Sequence, residues 1–271
     1  MTPAEARAIL FLPAPRLDRL DKALGSGADL VVVDLEDAGP HAGKAAAREA
    51  VVALLAAGTD RRVGVRINGI ATRAGLLDLA AVAAGPSPAF VLLPKVESAA
   101  EAGLYARHLP GVPLIATVES AAGLLRAAEI GAVPGVVALG FGGADLSADL
   151  GADLAWEPML AHRATVVRAA AAAGVASFDV PHLDLADDDG LVDTTRRARA
   201  MGFTGRFAIH PRQVPGIVAA FTPPPAEVAR ARAVLAASAA AGGGVCELDG
   251  RMIDRPVVEA ARRLLARAPD A

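Results

Sequence analysis

Three β-branched residues, Val31-Val32-Val33, run directly into Asp34-Leu35-Glu36-Asp37. The valines read as a buried strand. The carboxylates crowded at its end repel one another and resist desolvation. Such an end needs a cation, a metal or a substrate-binding arginine, and it marks a candidate active-site rim. Arg66, inside the β-like run Val63-Gly64-Val65-Arg66-Ile67, is one such cation. It either neutralises Asp34 and Glu36 or binds a substrate carboxylate or developing oxyanion. Lys95 also follows a strand-like run. With Glu97 as a nearby salt-bridge partner it reads as structural or anion-steering rather than as a Schiff-base lysine.

Glu119 and Asp145 follow two further apolar runs, Leu114–Val118 and Val136–Gly140. Converging on one mouth beside Asp34, Glu36 and Asp37, they would make an oxygen-only site. That chemistry suits Mg2+, with Mn2+ as the alternative, whereas zinc favours thiolates or spaced histidines. Taken singly, Glu119 could complement a helix dipole and Asp145 could cap the turn at Leu146. Their shared position at the ends of neighbouring strands favours metal ligation. His210 reads as a hydrogen-bonding scaffold residue. Asp254, just before Pro256, is a candidate N-cap.

The elements that must position these residues alternate. Strands are expected at Ile9–Leu12, Leu30–Asp34, Val63–Ile67, Phe90–Leu93, Leu114–Val118, Val136–Gly140, Val175–Phe178 and Phe207–Ile209. Helices are expected between them, among them Lys44–Ala57, Ser98–His108, Ser120–Ile130, Trp156–Ala173 and Leu191–Met201. Eight such alternations predict a (β/α)8 barrel, an α/β fold of the TIM type, whose functional residues sit at the strand C-termini. Gly140-Phe141-Gly142-Gly143 lacks the GxGxxG spacing of a dinucleotide turn. The barrel is expected over residues 1–222, with a C-terminal extension over 223–271. In that extension, a helix over Ala226–Ala241, a hairpin turning at Asp249-Gly250 and a last helix over Pro256–Ala266 are expected.

Hydrophobic residues make up 54% of the 271, enough for a sizeable core, while aromatics are only 3%. The core is therefore aliphatic, and no stacking platform for nucleic acid is expected. A net charge of −3 without a basic face points the same way. Cys246 is the single cysteine, which excludes an intrachain disulfide and fits a reducing cytoplasm. No apolar run approaches membrane-spanning length, so a soluble protein is expected.

Taken together, the motifs resemble those of the citrate lyase β-subunit-like (CitE-like) proteins of the HpcH/HpaI aldolase family. The matching blocks are Leu10-Phe11-Leu12-Pro13, Asp34-Leu35-Glu36-Asp37, Val65-Arg66-Ile67-Asn68, Leu93-Pro94-Lys95-Val96-Glu97, Val118-Glu119-Ser120, Gly140-Phe141-Gly142-Gly143-Ala144-Asp145-Leu146, Gly202-Phe203-Thr204-Gly205, Ile209-His210-Pro211-Arg212-Gln213 and Gly250-Arg251-Met252-Ile253-Asp254-Arg255-Pro256. They span nearly the whole chain in family order. Ser120 stands where many members carry threonine.

The resemblance implies a Mg2+-bearing barrel of the phosphoenolpyruvate/pyruvate type, assembled as a homotrimer or hexamer. It implies metal ligation by Glu119 and Asp145, and substrate contacts from Arg66, Glu119, Gly142, Gly143 and Asp145. It places Glu36 beside Arg66, and Asp254 in a tail that closes over a neighbouring subunit's site. The implied reaction is carbon–carbon cleavage of a malyl-, citramalyl- or citryl-CoA type thioester to acetyl-CoA and glyoxylate, pyruvate or oxaloacetate. In it Arg66 stabilises negative charge and Asp254 exchanges the proton. Arg16 and Lys22 are weaker candidates for the CoA phosphates. The alternatives are a 4-hydroxy-2-oxo-acid aldolase, a malyl-CoA-type thioesterase and a subunit of a citrate lyase complex needing an acyl-carrier partner. Strand alternation puts Asp34 and Glu36 on one face and Asp37 on the other, as far as the strand persists. Glu36 is then expected to be catalytic or substrate-orienting, and Asp37 to reach the metal through water.

Overall fold

A computed structural model describes residues 2–37 and 43–268. The chain divides into two compact units, Met1–Val218 and Ala219–Ala271. In the first, eight parallel strands close into a barrel in sequence order. They are β1 (Ala8–Pro13), β2 (Leu30–Asp34), β3 (Val63–Arg66), β4 (Val91–Leu93), β5 (Leu114–Val118), β6 (Val136–Phe141), β7 (Ala176–Asp179) and β8 (Gly205–Ala208). Closure comes from β1 pairing with β8 through Ile9 and Phe207. Among the described residues no helix is long and apolar enough to cross a membrane.

Alternation along each strand sorts the side chains. Ile9, Leu30, Val32, Leu92, Ile115, Ala138, Phe178 and Phe207 fill the lower interior as one buried cluster. The next inward positions of the same strands are polar and form the mouth. Asp34 follows Val32, Arg66 follows Gly64 and Glu119 follows Thr117. Gly64 has no room for a side chain, since a Cβ there would lie 2.4 Å from the Phe90 ring.

Helices follow the strands, as at Lys44–Ala56, Ala99–His108, Trp156–Ala173 and Asp188–Met201. Ser98 and Ser120 cap their helices by accepting from Glu101 N and Gly123 N. The single helix expected over Ser120–Ile130 is instead two short ones, Ala121–Leu125 and Ala127–Gly131. Arg126 N bonds Gly123 O, a tighter closure that leaves Arg126 non-helical and restarts the coil.

The second unit packs helices Pro225–Ala240 and Arg255–Leu265 with the hairpin β9 (Cys246–Leu248) and β10 (Arg251–Ile253) around a small core of its own. Asp249 and Gly250 both take left-handed backbone at the hairpin turn, at φ 52 and 74.

Candidate active site

β2 and β3 are paired in register so that Asp34 lies beside Arg66. The guanidinium grips Asp34 with two bonds, Nε to Oδ1 at 2.6 Å and Nη2 to Oδ2 at 2.7 Å. Nη2 also donates to Asp37 Oδ2 at 3.1 Å. Nη1 stands 2.8 Å from Glu36 Oε2. That contact is an ion pair without hydrogen-bond alignment, and Glu36 Oε2 is buried with no hydrogen-bond partner among the described residues. Arg66 also covers the Phe11 ring at 4.9 Å. Burial opposes its charge, but the bonds from Asp34 and the fields of Glu36 and Asp37 outweigh that and raise its pKa.

The alternation expected beyond Asp34 is not kept. β2 ends there, and the Glu36 amide turns back onto Asp34 Oδ1 at 2.9 Å. The bend brings Asp34, Glu36 and Asp37 onto one guanidinium. Asp37 therefore pairs with Arg66 from an exposed position rather than facing away from it.

Lys95 spans Glu36 and Asp145, with Nζ 3.1 Å from Glu36 Oε1 and 3.7 Å from Asp145 Oδ1. The pair with Glu97 anticipated from sequence does not form among the described residues; Glu97 accepts from Ser120 Oγ at 2.7 Å instead. Lys95 has a left-handed backbone, φ 50, which re-aims its side chain at the end of β4. Burial raises the Glu36 pKa despite both neighbouring cations.

Glu119 directly follows β5 and is buried, 6% exposed. Burial, with Glu36 and the adjacent Asp145 carboxyl, pushes its pKa up to about 8. Gly142 presses directly on it: a Cβ at 142 would lie 2.2 Å from Glu119 Cγ. Asp145 sits in the first turn of helix Gly143–Leu150. A buried acid strained by a second carboxyl fits a divalent cation between them. The groups are hard oxygens, and Mg2+ is commonly held by one or two carboxylates plus substrate oxygens and water. Among the described residues no cluster of three or more acidic, histidine or cysteine groups is placed to hold a metal. Glu119 and Asp145 would therefore supply two ligands, leaving positions open.

Sequence reasoning missed the support beneath the mouth. Asn68 Nδ2 donates to Leu35 O at 2.9 Å and to Asp78 Oδ2 at 2.5 Å. Lys44 Nζ donates to Asn68 Oδ1 and, at 3.0 Å, to Glu36 O. Arg48, one turn on, binds Asp78 at 2.6 Å. The i, i+4 spacing of Lys44 and Arg48 on one helix was the available signal.

The remaining candidates make local contacts of their own. Arg16 pairs with Asp18 at 3.2 Å and Lys22 is exposed. His210 Nδ1 accepts from Arg212 N at 3.2 Å, a scaffold role in a capping box with Gln213. In the second unit Asp254 caps the last helix, accepting from Val257 N at 3.3 Å.

Residues 7–211 match the HpcH/HpaI aldolase/citrate lyase family. The chain belongs to that family. It is 40% identical over 270 residues to a citrate lyase subunit beta-like protein of Mycobacterium tuberculosis, covering 97% of this chain and 95% of that one. It is 36% identical over 272 residues to the (3S)-malyl-CoA thioesterase of Cereibacter sphaeroides, covering 97% and 94%. Among solved structures it resembles the protein CitE from Mycobacterium tuberculosis in complex with magnesium, acetoacetate and coenzyme A, with a TM-score of 0.84, 38% identity and 98% of each chain covered. The barrel and the family expected from sequence are both borne out.

Proposed function

We propose that this family member is a Mg2+-dependent carbon–carbon lyase of a 3-hydroxyacyl-CoA, yielding acetyl-CoA and an oxo acid such as glyoxylate, pyruvate or oxaloacetate. The observation that carries this reading is the buried Glu119 carboxyl against Asp145, ringed by Arg66 and Lys95 at the barrel mouth. The CitE structure bound to magnesium, acetoacetate and coenzyme A supports the same ligand chemistry for this chain.

Glu119 and Asp145 would hold the cation, and Gly142 and Gly143, which lack side chains where Glu119, Phe141 and Leu154 pack, would meet the substrate through their backbone. Mg2+ held by these two carboxylates would supply Lewis acidity, easing loss of the substrate's hydroxyl proton. Cleavage requires the substrate hydroxyl to lose its proton to water at the open mouth and the bond between C2 and C3 to break, its electron pair passing to the thioester enolate. C2 then gains a proton. Arg66 and Lys95 would meet the substrate carboxylate and the developing enolate with positive charge. Glu36 holds both cations in position. Asp254, delivered by the tail of a neighbouring copy in a trimer or hexamer, exchanges the proton at C2. Arg16 and Lys22 would meet the CoA phosphates. The lone cysteine and charge balance fit a cytoplasmic enzyme.

The thioesterase relative keeps a second outcome in view: water attacking the thioester at the same mouth. Incubating the purified protein with malyl-, citramalyl- and citryl-CoA, with and without Mg2+, separates the two. Metal-dependent release of an oxo acid supports the lyase. Free CoA with intact malate supports hydrolysis. Turnover only after an acyl-carrier protein is added identifies a complex subunit.

A further inference from the structure

Lysine is rare in this chain. Of its 27 basic residues only three are lysines, at 22, 44 and 95, so a lysine at the barrel mouth is a choice against arginine. Two of the three end on the same residue there. Lys44 Nζ donates to Glu36 O at 3.0 Å, and Lys95 Nζ donates to Glu36 Oε1 at 3.1 Å. An ammonium is a compact, strongly hydrated point charge, closer in kind to a small metal cation than a planar guanidinium is.

The backbone at Lys95 is strained. Its φ of 50 lies in the left-handed region, where glycine sits more easily than any side chain. Among the described residues the one other non-glycine with such a φ is Asp249, in the hairpin turn. The flanks of Lys95 hold it there. Thr117 Oγ1 donates to Leu93 O at 2.7 Å, and Val96 N donates to Thr117 O at 3.1 Å. Leu93 and Val96 are fully buried. Both anchors therefore come from β5, the strand that Glu119 follows. Strain over-determined in this way gathers where a side chain has a task.

The task is visible in what the ammonium reaches. Nζ stands 3.7 Å from Asp145 Oδ1 as well as 3.1 Å from Glu36 Oε1. Burial opposes its charge, but the fields of Glu36, Asp145 and Glu119 outweigh that and raise its pKa. The side chain is 47% exposed, so it has room to swing aside. We propose that Lys95 is a tethered competitor of the metal: without a divalent ion its ammonium bridges Glu36 and Asp145, and an ion bound at Asp145 must repel or displace it. An ammonium that stays repels the dication. One that swings out forfeits its ion pairs. Either way Lys95 lowers the affinity of the mouth for Mg2+. This inference rests on the Mg2+ site proposed above and concerns how tightly that site holds its ion.

Mg2+ is titrated calorimetrically into the full-length protein and into Lys95→Met, Lys95→Gln, Lys95→Arg and Asp145→Asn. Lys95→Met and Lys95→Gln should each bind Mg2+ about tenfold more tightly, because a unit charge and a dication a few ångströms apart repel by about that factor even in water. Lys95→Arg keeps the charge and should stay within about threefold of wild type. In EDTA, Lys95→Met should melt earlier than wild type, and saturating Mg2+ should raise its melting temperature by more, as tighter binding requires. Wild-type binding that Asp145→Asn abolishes, with no tightening in Lys95→Met or Lys95→Gln, overturns this inference and leaves the metal site standing. Tightening of equal size in Lys95→Arg also overturns it, since charge would not be the cause. Absence of Mg2+ binding in wild type and in both neutral variants, or binding that Asp145→Asn leaves unaltered, overturns the metal site and this inference with it.

Discussion

Gly142 stands so close to Glu119 that a Cβ at 142 would lie 2.2 Å from Glu119 Cγ. The contact is with the part of the side chain that aims the carboxyl toward Asp145. Gly142→Ala should therefore turn Glu119 away and weaken Mg2+ binding about 10- to 100-fold, the usual range for losing support of a metal ligand. Calorimetric titration with Mg2+ reads this. An unchanged affinity would mean that Glu119 is not a ligand or that it shifts without consequence.

The pH dependence of Glu119 has a definite sign. Its pKa is raised from 4.5 to about 8 by burial and neighbouring acids. The folded protein then holds a proton that the unfolded chain releases between those values. Stability of the metal-free protein is greatest, as far as this group decides it, below pH 4.5 and falls as pH rises through about 8. Melting scans in EDTA from pH 5 to 9 should show this decline. Glu119→Gln should flatten it, and saturating Mg2+ should restore stability at the alkaline end. A slope unaltered by Glu119→Gln would refute the assignment.

Arg66 ties Asp34, Glu36 and Asp37 together from a position where its side chain is only 11% exposed. Arg66→Met leaves the buried Asp34 without its partner and should cost about 3–5 kcal/mol in urea unfolding. Arg66→Lys keeps the charge but not the two-pronged grip, so it should be less destabilising yet still slow turnover. Equal stability of Arg66→Met and wild type would contradict this account.

Asp254 caps the last helix, and the proton exchange proposed for it can be separated from that role. Asparagine caps helices about as well as aspartate, so Asp254→Asn should change stability by no more than a few tenths of a kcal/mol. If the carboxyl exchanges a proton in the reaction, kcat should fall about 10²- to 10⁴-fold with metal binding intact. A variant that melts early but retains kcat would assign Asp254 to the cap alone.

Asn68 bridges Leu35 O, Asp78 and Lys44 beneath the mouth. Asn68→Leu should take one donor from the buried Asp78, which keeps Arg48, and one acceptor from Lys44, at a cost of about 0.5–1.5 kcal/mol for each lost bond. It should also loosen the Glu36 segment that Lys44 holds, raising KM. Unaltered stability and KM would make the network incidental.

Some elements were legible because local physics determines them. Leu30–Asp34, Leu114–Val118 and Trp156–Ala173 read directly from apolar runs and helical composition. Glu119, Asp145 and Arg66 stood out as charges that apolar strands deliver to one end. β8 was harder. It runs Gly205–Ala208 rather than Phe207–Ile209, because Arg206, which reads as a polar break, is buried within the strand. Its partners Val180, Thr194 and Thr195 are far upstream, and only folding brings them near.

The sequence by itself determined that this is a barrel with charged strand ends, and its motifs placed it in its family. Periodicity and residue chemistry are properties of short stretches. Tertiary structure alone decided which charge meets which: three carboxylates on Arg66, Lys95 on Glu36 and Asp145, and Gly142 against Glu119. Those pairings depend on register, on a bend after Asp34 and on barrel closure. Each joins residues that are distant along the chain or turned by local backbone, so no spacing rule contains them.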